Sequence, residues 1–492
     1  MSTKYLINSG TLTNIANAIR QKTGSEDAIA VSDMTATISD IYTGEMIPIY
    51  AMLYDDGEMV FQTNDTVDES RTLVEKYTTS DLDVYCCADD APWHYRMPQI
   101  KNVSTNGFVP IKSLAYYFPN ANSLTEFDTT KFDAGNVKSM VSAFHSCLNL
   151  TGSPVCGESV NSMSNTYREC CNLTGSPVCG NNVTSMAYTY SNCQNLTGSP
   201  VCGNNVTSMN AAYHNCYRLT DSPVCGENVV DMTNAYYGCF RITGSPVCGN
   251  NVTNMGSTYY NCTNLTGSPV CGKNVTNMYH TYWLCPNLTG NPVCGNNVTN
   301  MTGTYFNCYN LTGAPVCGEN VTSMYGTYKN CRNLTGSPVC GERVTSMYDA
   351  YSNCRNLTGS PVCGENVTNM GNAYYNCINL TGSPVCGNNV ISMAYAYFNC
   401  TKLTGNAYFY SSSVSNVRNC FYNKNKSTQM NIYVPAGSTT NTHCHYSNTY
   451  SLVGAAITWT SDTTNNCSYN ATYNIYIYPV DDVAAAREAN GD

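Results

Sequence analysis

Charge is what this chain has least of: only 11% of its 492 residues are Asp, Glu, Lys or Arg, and the formal balance is −10. A nucleic-acid partner would require clustered cations to neutralise phosphates, and no such cluster stands anywhere in the sequence, so that class is excluded. Long apolar runs are missing too. Nothing approaches the roughly 18 consecutive apolar residues that cross a bilayer, so no membrane insertion is expected. Residues 1–24 carry neither a basic start with an apolar core nor a small-residue cleavage site, which predicts a product made in the cytoplasm and not exported by the Sec route. Catalytic signatures are also lacking. There is no Gly-x-Ser-x-Gly elbow and no phosphate loop, and the few acidic residues inside the repeats scatter over several positions, so paired carboxylates cannot be located. The expectation is a protein that is not an enzyme and holds no cofactor and no metal.

What is abundant is Tyr (40), Gly (36) and Cys (29), and the reason is a repeat. From Asn149 the unit Asn-Leu-Thr-Gly-Ser-Pro-Val-Cys-Gly-x-Asn-Val-Thr-x-Met-x-x-x-Tyr-x-x-Cys-x recurs every 23 residues to Thr401, eleven times without insertion. Some columns are constant and others free. In the first unit the constant ones are Pro154, Val155, Cys156, Gly157, Val160, Met163, Tyr167 and Cys170. A constant apolar set at constant spacing is what one coil of a solenoid needs, because its side chains stack on their equivalents in the next coil and one unit alone could not bury them. Pro154 is expected to open a short strand, Gly157 to sit at a positive-φ turn, and Met163, Tyr167 and Cys170, at i, i+4 and i+7, to face inward from a helical turn. In a reducing compartment the cysteines are explained first as small buried hydrophobes, with a disulfide ladder as the alternative. Metal ligation is disfavoured, since no Cys-x-x-Cys pair and no histidine column accompanies them.

The string from Asn182 to Leu196, Asn-Val-Thr-x-Met-x-x-x-Tyr-x-x-Cys-x-x-Leu, resembles the BspA-like leucine-rich repeats of bacterial surface proteins. The resemblance covers residues 123–403, because Asn136, Val137, Met140, Phe144 and Cys147 already form a degenerate first coil. It implies a leucine-rich-repeat-like solenoid of short β-strands and helical turns over 123–403. A small β-containing cap over 46–122 precedes it, with a hairpin at Asp56-Gly57. From Lys402 the period fails, and 404–492 is expected as a β-rich C-terminal cap with strands at Met430 to Val434, Ala456 to Thr460 and Tyr473 to Tyr478, and a polar tail from Asp481 that is either frayed or used in assembly. Residues 1–45 are expected as two short amphipathic helices capped by Ser9 and Ser32. The stretch from Gly10 to Gly24, followed by Ser32-Asp33-Met34, is similar to the start of tail-associated structural proteins of phages that infect Gram-positive gut bacteria. That similarity implies a virion component joined to other virion proteins through residues 1–45.

The free columns carry the functional expectation. The position after the constant Tyr reads His214, Tyr237, Tyr260, Trp283 and Phe306 in five successive units, and neighbouring free positions supply Tyr217, Phe240, Tyr309, Tyr279 and His280. Rings that change from unit to unit on a constant scaffold resemble a paratope, in which Tyr and Trp give contact area at low entropic cost. The same rings could instead be a ladder that stabilises neighbouring units or subunits. The expected function is a phage tail-fibre or tail-tip adhesin, a homo-oligomer on the virion that recognises a host-surface glycan or protein. The alternatives are a purely structural fibre or head-decoration subunit and a bacterial cell-surface adhesin.

Overall fold

The computed structural model describes residues 47–80, 85–107, 109–127, 137–445, 451–453 and 459–492. The helices expected over 1–45 lie outside this set, as does most of the strand expected at Ala456 to Thr460. The chain forms two compact units, Met1–Leu196 and Thr197–Asp492, with the division falling inside the repeat array.

In the first unit, β1 (Pro48–Tyr54) turns through Asp56-Gly57 into β2 (Glu58–Gln62), with Gly57 at φ 89°. Strand β1 also pairs antiparallel with β3 (Leu73–Ser80), and β2 pairs parallel with β4 (Asn102–Thr105), which pairs with the short β5 (Glu126–Phe127). The order is β3-β1-β2-β4-β5. Its core is aromatic. Trp93 is fully buried, donates its indole N–H to the Tyr117 carbonyl at 2.8 Å and meets Phe61 edge-on at 5.3 Å. Phe118 then stacks on Phe144, Phe144 on Tyr167 and Tyr167 on Tyr190, so one line of rings runs from this sheet into the repeats of the same unit.

Within each unit the repeats are joined by backbone bonds that alternate in direction. The N–H groups of Met163, Asn165, Tyr167 and Glu169 donate to Ser185, Ala187, Thr189 and Ser191 of the following repeat, at 2.7–3.1 Å. The intervening N–H groups of Thr166, Arg168 and Cys170 turn back to Met163, Asn165 and Tyr167 of their own repeat. The expected helical turn is therefore corrected: the segment is a run of overlapping four-residue turns. A helix would spend every N–H within itself, whereas here every second one ties two repeats together. Two residues per repeat, such as Asn165 (φ 57°) and Glu169 (φ 66°), take the left-handed conformation that the turns require. Asn tolerates that conformation better than most residues, which accounts for its frequency at the second position. Met163, Tyr167 and Cys170 do face the interior, with Val160 beside them.

Two further local expectations change. The glycines equivalent to Gly157 are not at positive φ; a Cβ on Gly180 would stand 3.0 Å from both Cys156 Sγ and the Gly157 carbonyl, so close approach of successive repeats is what excludes a side chain. The preceding glycines, such as Gly152 (φ 79°) and Gly175 (φ 82°), are the ones that make the turn. The Pro-Val-Cys segment forms a strand only in the last repeat, as β6 (Val385–Cys386). Elsewhere its backbone is held by the constant tyrosine: Tyr282 Oη accepts from Val270 N at 3.0 Å and donates to Val270 O at 2.7 Å, and Tyr167 does the same to Val155. The late cysteine is buried and donates its S–H to the carbonyl of the preceding repeat's tyrosine, Cys285 to Tyr259 at 2.9 Å. Among the described residues every cysteine is a free thiol.

The second unit ends in a six-stranded sheet of order β6-β7-β8-β11-β10-β9, made by β6, β7 (Gly405–Phe409), β8 (Met430–Pro435), β9 (Thr460–Asp462), β10 (Cys467–Asn470) and β11 (Ile475–Val480). The turn run continues once more beyond Lys402, shifted by one residue: Met393, Tyr395, Tyr397 and Asn399 donate to Asn416, Arg418, Cys420 and Tyr422. Lys424 occupies the late-cysteine position there, donates to the carbonyls of Asn425, Thr428 and Tyr473, and is pushed by burial down to a pKa of about 8. Helix α1 (Thr439–Cys444) is capped by Ser438 and α2 (Val483–Ala489) by Asp482. The polar tail from Asp481 is thus helical rather than frayed. The Asp492 carboxylate accepts from Ser383 Oγ, Asn406 Nδ2 and Tyr408 Oη at 2.6–2.9 Å, which ties that tail to β7 and its surroundings.

Candidate ligand-binding surface

The position after the constant tyrosine points outward because its two neighbours are committed elsewhere. The tyrosine side chain is buried, and the next residue is in the left-handed turn, with its N–H bonded to the following repeat: Asn215 to Tyr237 O, Gly238 to Tyr260 O, Asn261 to Trp283 O and Leu284 to Phe306 O, at 2.7–2.9 Å. These bonds hold the ring-bearing backbones of successive repeats at one separation, so the rings meet face to face. His214 lies on Tyr237 (4.7 Å between centroids), Tyr237 on Tyr260 (4.4 Å), Tyr260 on Trp283 (6.1 Å) and Trp283 on Phe306 (3.7 Å). Lys329 closes the stack with its ammonium 5.6 Å from the Phe306 ring and pairs with Asp349 at 2.8 Å. Beyond Ser352 a second stack begins, Tyr375 on Phe398 and Phe398 on Tyr422.

All ten sequence-predicted residues are partly or well exposed, and the structure groups them unevenly. Tyr279 packs on His280, and His280 lies 4.3 Å from Trp283 and 6.2 Å from Tyr260, so these two join the main stack. Burial pushes the His280 imidazole below its ordinary pKa, so it is neutral at pH 7. Tyr217 stacks on Phe240 at 5.0 Å in a separate column. Tyr309 sits under the Arg332 guanidinium at 5.0 Å. Each stacked pair contributes roughly 0.5–1.5 kcal/mol beyond its area, so the column also stiffens the repeats it decorates.

The ring stack depends on small residues in the next repeat. A Cβ on Gly303 would come within 2.5 Å of His280 Cδ2 and 2.6 Å of Trp283 Cζ3, and Gly303 is itself at φ 58°. Gly303→Ala is therefore expected to displace both rings and to cost about 1–3 kcal/mol. Urea unfolding, together with the emission maximum of the protein's tryptophans, checks this; an unshifted spectrum with unchanged stability would show that the rings are not seated on that glycine.

A groove lies further along the repeats, outside the ring residues at 214–309. It measures about 360 Å³ and is walled by Tyr348 and Tyr395, with Gly371, Asn372 and Ala394 between them. Asn369, Ser392 and Asn416 form its polar rim, and no charged side chain lines it. The signal that could have found it is a gap: the free position after the Met reads Tyr325, Tyr348, Gly371, Ala394, so a run of rings stops at a glycine. Among the described residues no group of His, Cys, Asp and Glu is placed to hold a metal. No family model, curated protein or solved structure matches the chain.

Proposed function

We propose that this protein is a virion-borne adhesin whose repeats wind as a leucine-rich-repeat-like solenoid and whose ring-bearing columns bind a host-surface glycan or protein. The observation that carries the reading is the contrast between columns. Val, Met, Tyr and Cys are constant and buried in every repeat, whereas the half-exposed positions beside them vary and hold stacked rings. A purely structural ladder would be served by one ring repeated; a column that reads His, Tyr, Tyr, Trp, Phe, Lys, Ser suits recognition of a particular partner. The similarity of residues 10–34 to phage tail-associated proteins supports the virion assignment, with residues 1–45 as the joint to other virion proteins. Attachment would be multivalent, through several repeats and several copies on a particle.

The full-length protein, applied to a microarray of bacterial surface polysaccharides and to host cell envelopes, is expected to bind. Tyr260→Ala combined with Trp283→Ala is expected to weaken that binding about 10-fold or more while far-UV circular dichroism stays unchanged. Undiminished binding in the double variant removes the stripe from the reading. A protein found on purified particles that binds no host surface is a structural fibre or decoration subunit; one found on cell envelopes instead is a bacterial surface adhesin.

A further inference from the structure

We propose that the groove between Tyr348 and Tyr395 is a binding subsite for a single uncharged pyranose ring; this deepens the adhesin reading and rests on it. Tyr325 and Tyr348, one repeat apart, stack at 5.3 Å and 15°. The next position in that column is Gly371, whose built Cβ would touch Tyr348 at 2.9 Å, and the one after is Ala394. The stack thus ends at Tyr348, with an open space where a further ring would stand. Tyr395, two repeats along, closes the far end and is held by Phe398 at 5.8 Å and by the Arg418 guanidinium at 5.7 Å. The backbones that carry the two walls are two repeats apart, at about 4.8 Å per repeat of a parallel ladder, and Tyr375 also lines the space between them.

The chemistry of the lining selects the ligand. The face of a tyrosine ring is electronegative and suits the electropositive C–H face of a pyranose. The rim offers amides and a hydroxyl and no charge, which disfavours phosphates, sulfates and uronic acids. Asn369 Oδ1 is occupied by Gly371 N at 2.9 Å and Asn416 Oδ1 by Arg418 N at 3.2 Å, so each amide is oriented and has its Nδ2 left to donate to sugar hydroxyls. Of the charges around the groove, Asp349 is paired with Lys329, and the Arg418 guanidinium lies over the Tyr395 ring, outside the lining. A volume of about 360 Å³ is at the small end of ligand sites, as one ring requires.

The test uses the full chain and saturation-transfer NMR with the methyl glycosides of glucose, galactose, mannose and N-acetylglucosamine. At least one should receive saturation, with millimolar affinity. Tyr348→Ala with Tyr395→Ala should weaken it about 10-fold, and Val230→Ser, at an exposed position outside both ring columns and groove, should leave it unchanged. Ala394→Tyr is the decisive variant, because tyrosine already occupies the same column at 279, 325 and 348; it should fold normally, fill the groove and abolish the signal. Saturation of none of the four glycosides, or a signal that survives Ala394→Tyr, overturns the subsite. If the wild type still binds the polysaccharide array in that event, the adhesin reading stands and only the subsite falls; if the wild type binds neither array nor envelopes, the adhesin reading falls by itself.

Discussion

Raising the pH from 8 to 10 is expected to unfold the repeats of the second unit. A thiol ordinarily ionises near 9.0; burial pushes Cys239 and Cys285 up to about 12 and raises Cys262, Cys308, Cys354 and Cys377 well above 9.0. The unfolded chain therefore releases these protons as the pH passes 9, while burial keeps the thiols of the folded chain protonated well above that pH. Their contribution to stability is complete below pH 9 and is lost as the pH rises through the window above it. Each such thiol removes about 1.4 kcal/mol per pH unit, so the buried column of this unit removes on the order of 10 kcal/mol by pH 10, comparable with the whole stability of a typical domain. The constant tyrosines, also raised by burial, add to the loss once their ordinary range near 10.0 is reached. Near-UV circular dichroism and reaction with a thiol reagent follow the transition. Native dichroism and unreactive late cysteines at pH 10.5 would contradict it.

The same thiols show what a sequence discloses and what it does not. The period, the inward direction of Met163, Tyr167 and Cys170 and the partial exposure of the rings in the column after the constant Tyr are all legible, because constancy at a fixed spacing reports stacking. The i, i+4, i+7 spacing is shared by a helix and by a string of turns, so by itself it does not tell them apart. The discriminating signal lay in the Asn that precedes the late Cys in most repeats: it occupies the left-handed region at Asn192, Asn307, Asn353 and Asn399. A helix interior has no use for that preference. At Gly157 the sequence alone is ambiguous, because glycine does two jobs, freeing φ and permitting close approach, and only the neighbouring repeat's Cys and carbonyl decide between them. The ring columns are legible in the sequence; the groove is not, since it consists of side chains that Gly371 and Ala394 do not have. The continuation of the turn run past Lys402 was hidden by a one-residue shift and by Lys424 standing where every other repeat has Cys.

Tyr282→Phe is expected to destabilise the protein by about 2–4 kcal/mol although it removes one oxygen atom. That hydroxyl is the partner of both the N–H and the carbonyl of Val270, in a segment that no strand pairing supports, so its loss strands two backbone groups at roughly 1–3 kcal/mol each. Tyr282→Ala should cost more, about 5 kcal/mol, because the ring also stacks on Tyr259 and Tyr305 at 5.6 Å and a cavity would replace it. The last repeat provides an internal control. Val385 there donates its N–H to Pro361 O and pairs with β7, and Tyr397 Oη, buried, has no hydrogen-bond partner. Tyr397→Phe should therefore be neutral or slightly stabilising, since it deletes an unpaired polar atom and keeps the ring against Tyr374 and Phe421. Urea unfolding of the two Phe variants, with hydrogen exchange at Val270, separates the explanations. If Tyr282→Phe and Tyr397→Phe cost the same, the constant tyrosine is there for its ring alone; if only the first is costly and Val270 loses protection, the hydroxyl is the brace that closes each repeat across its core.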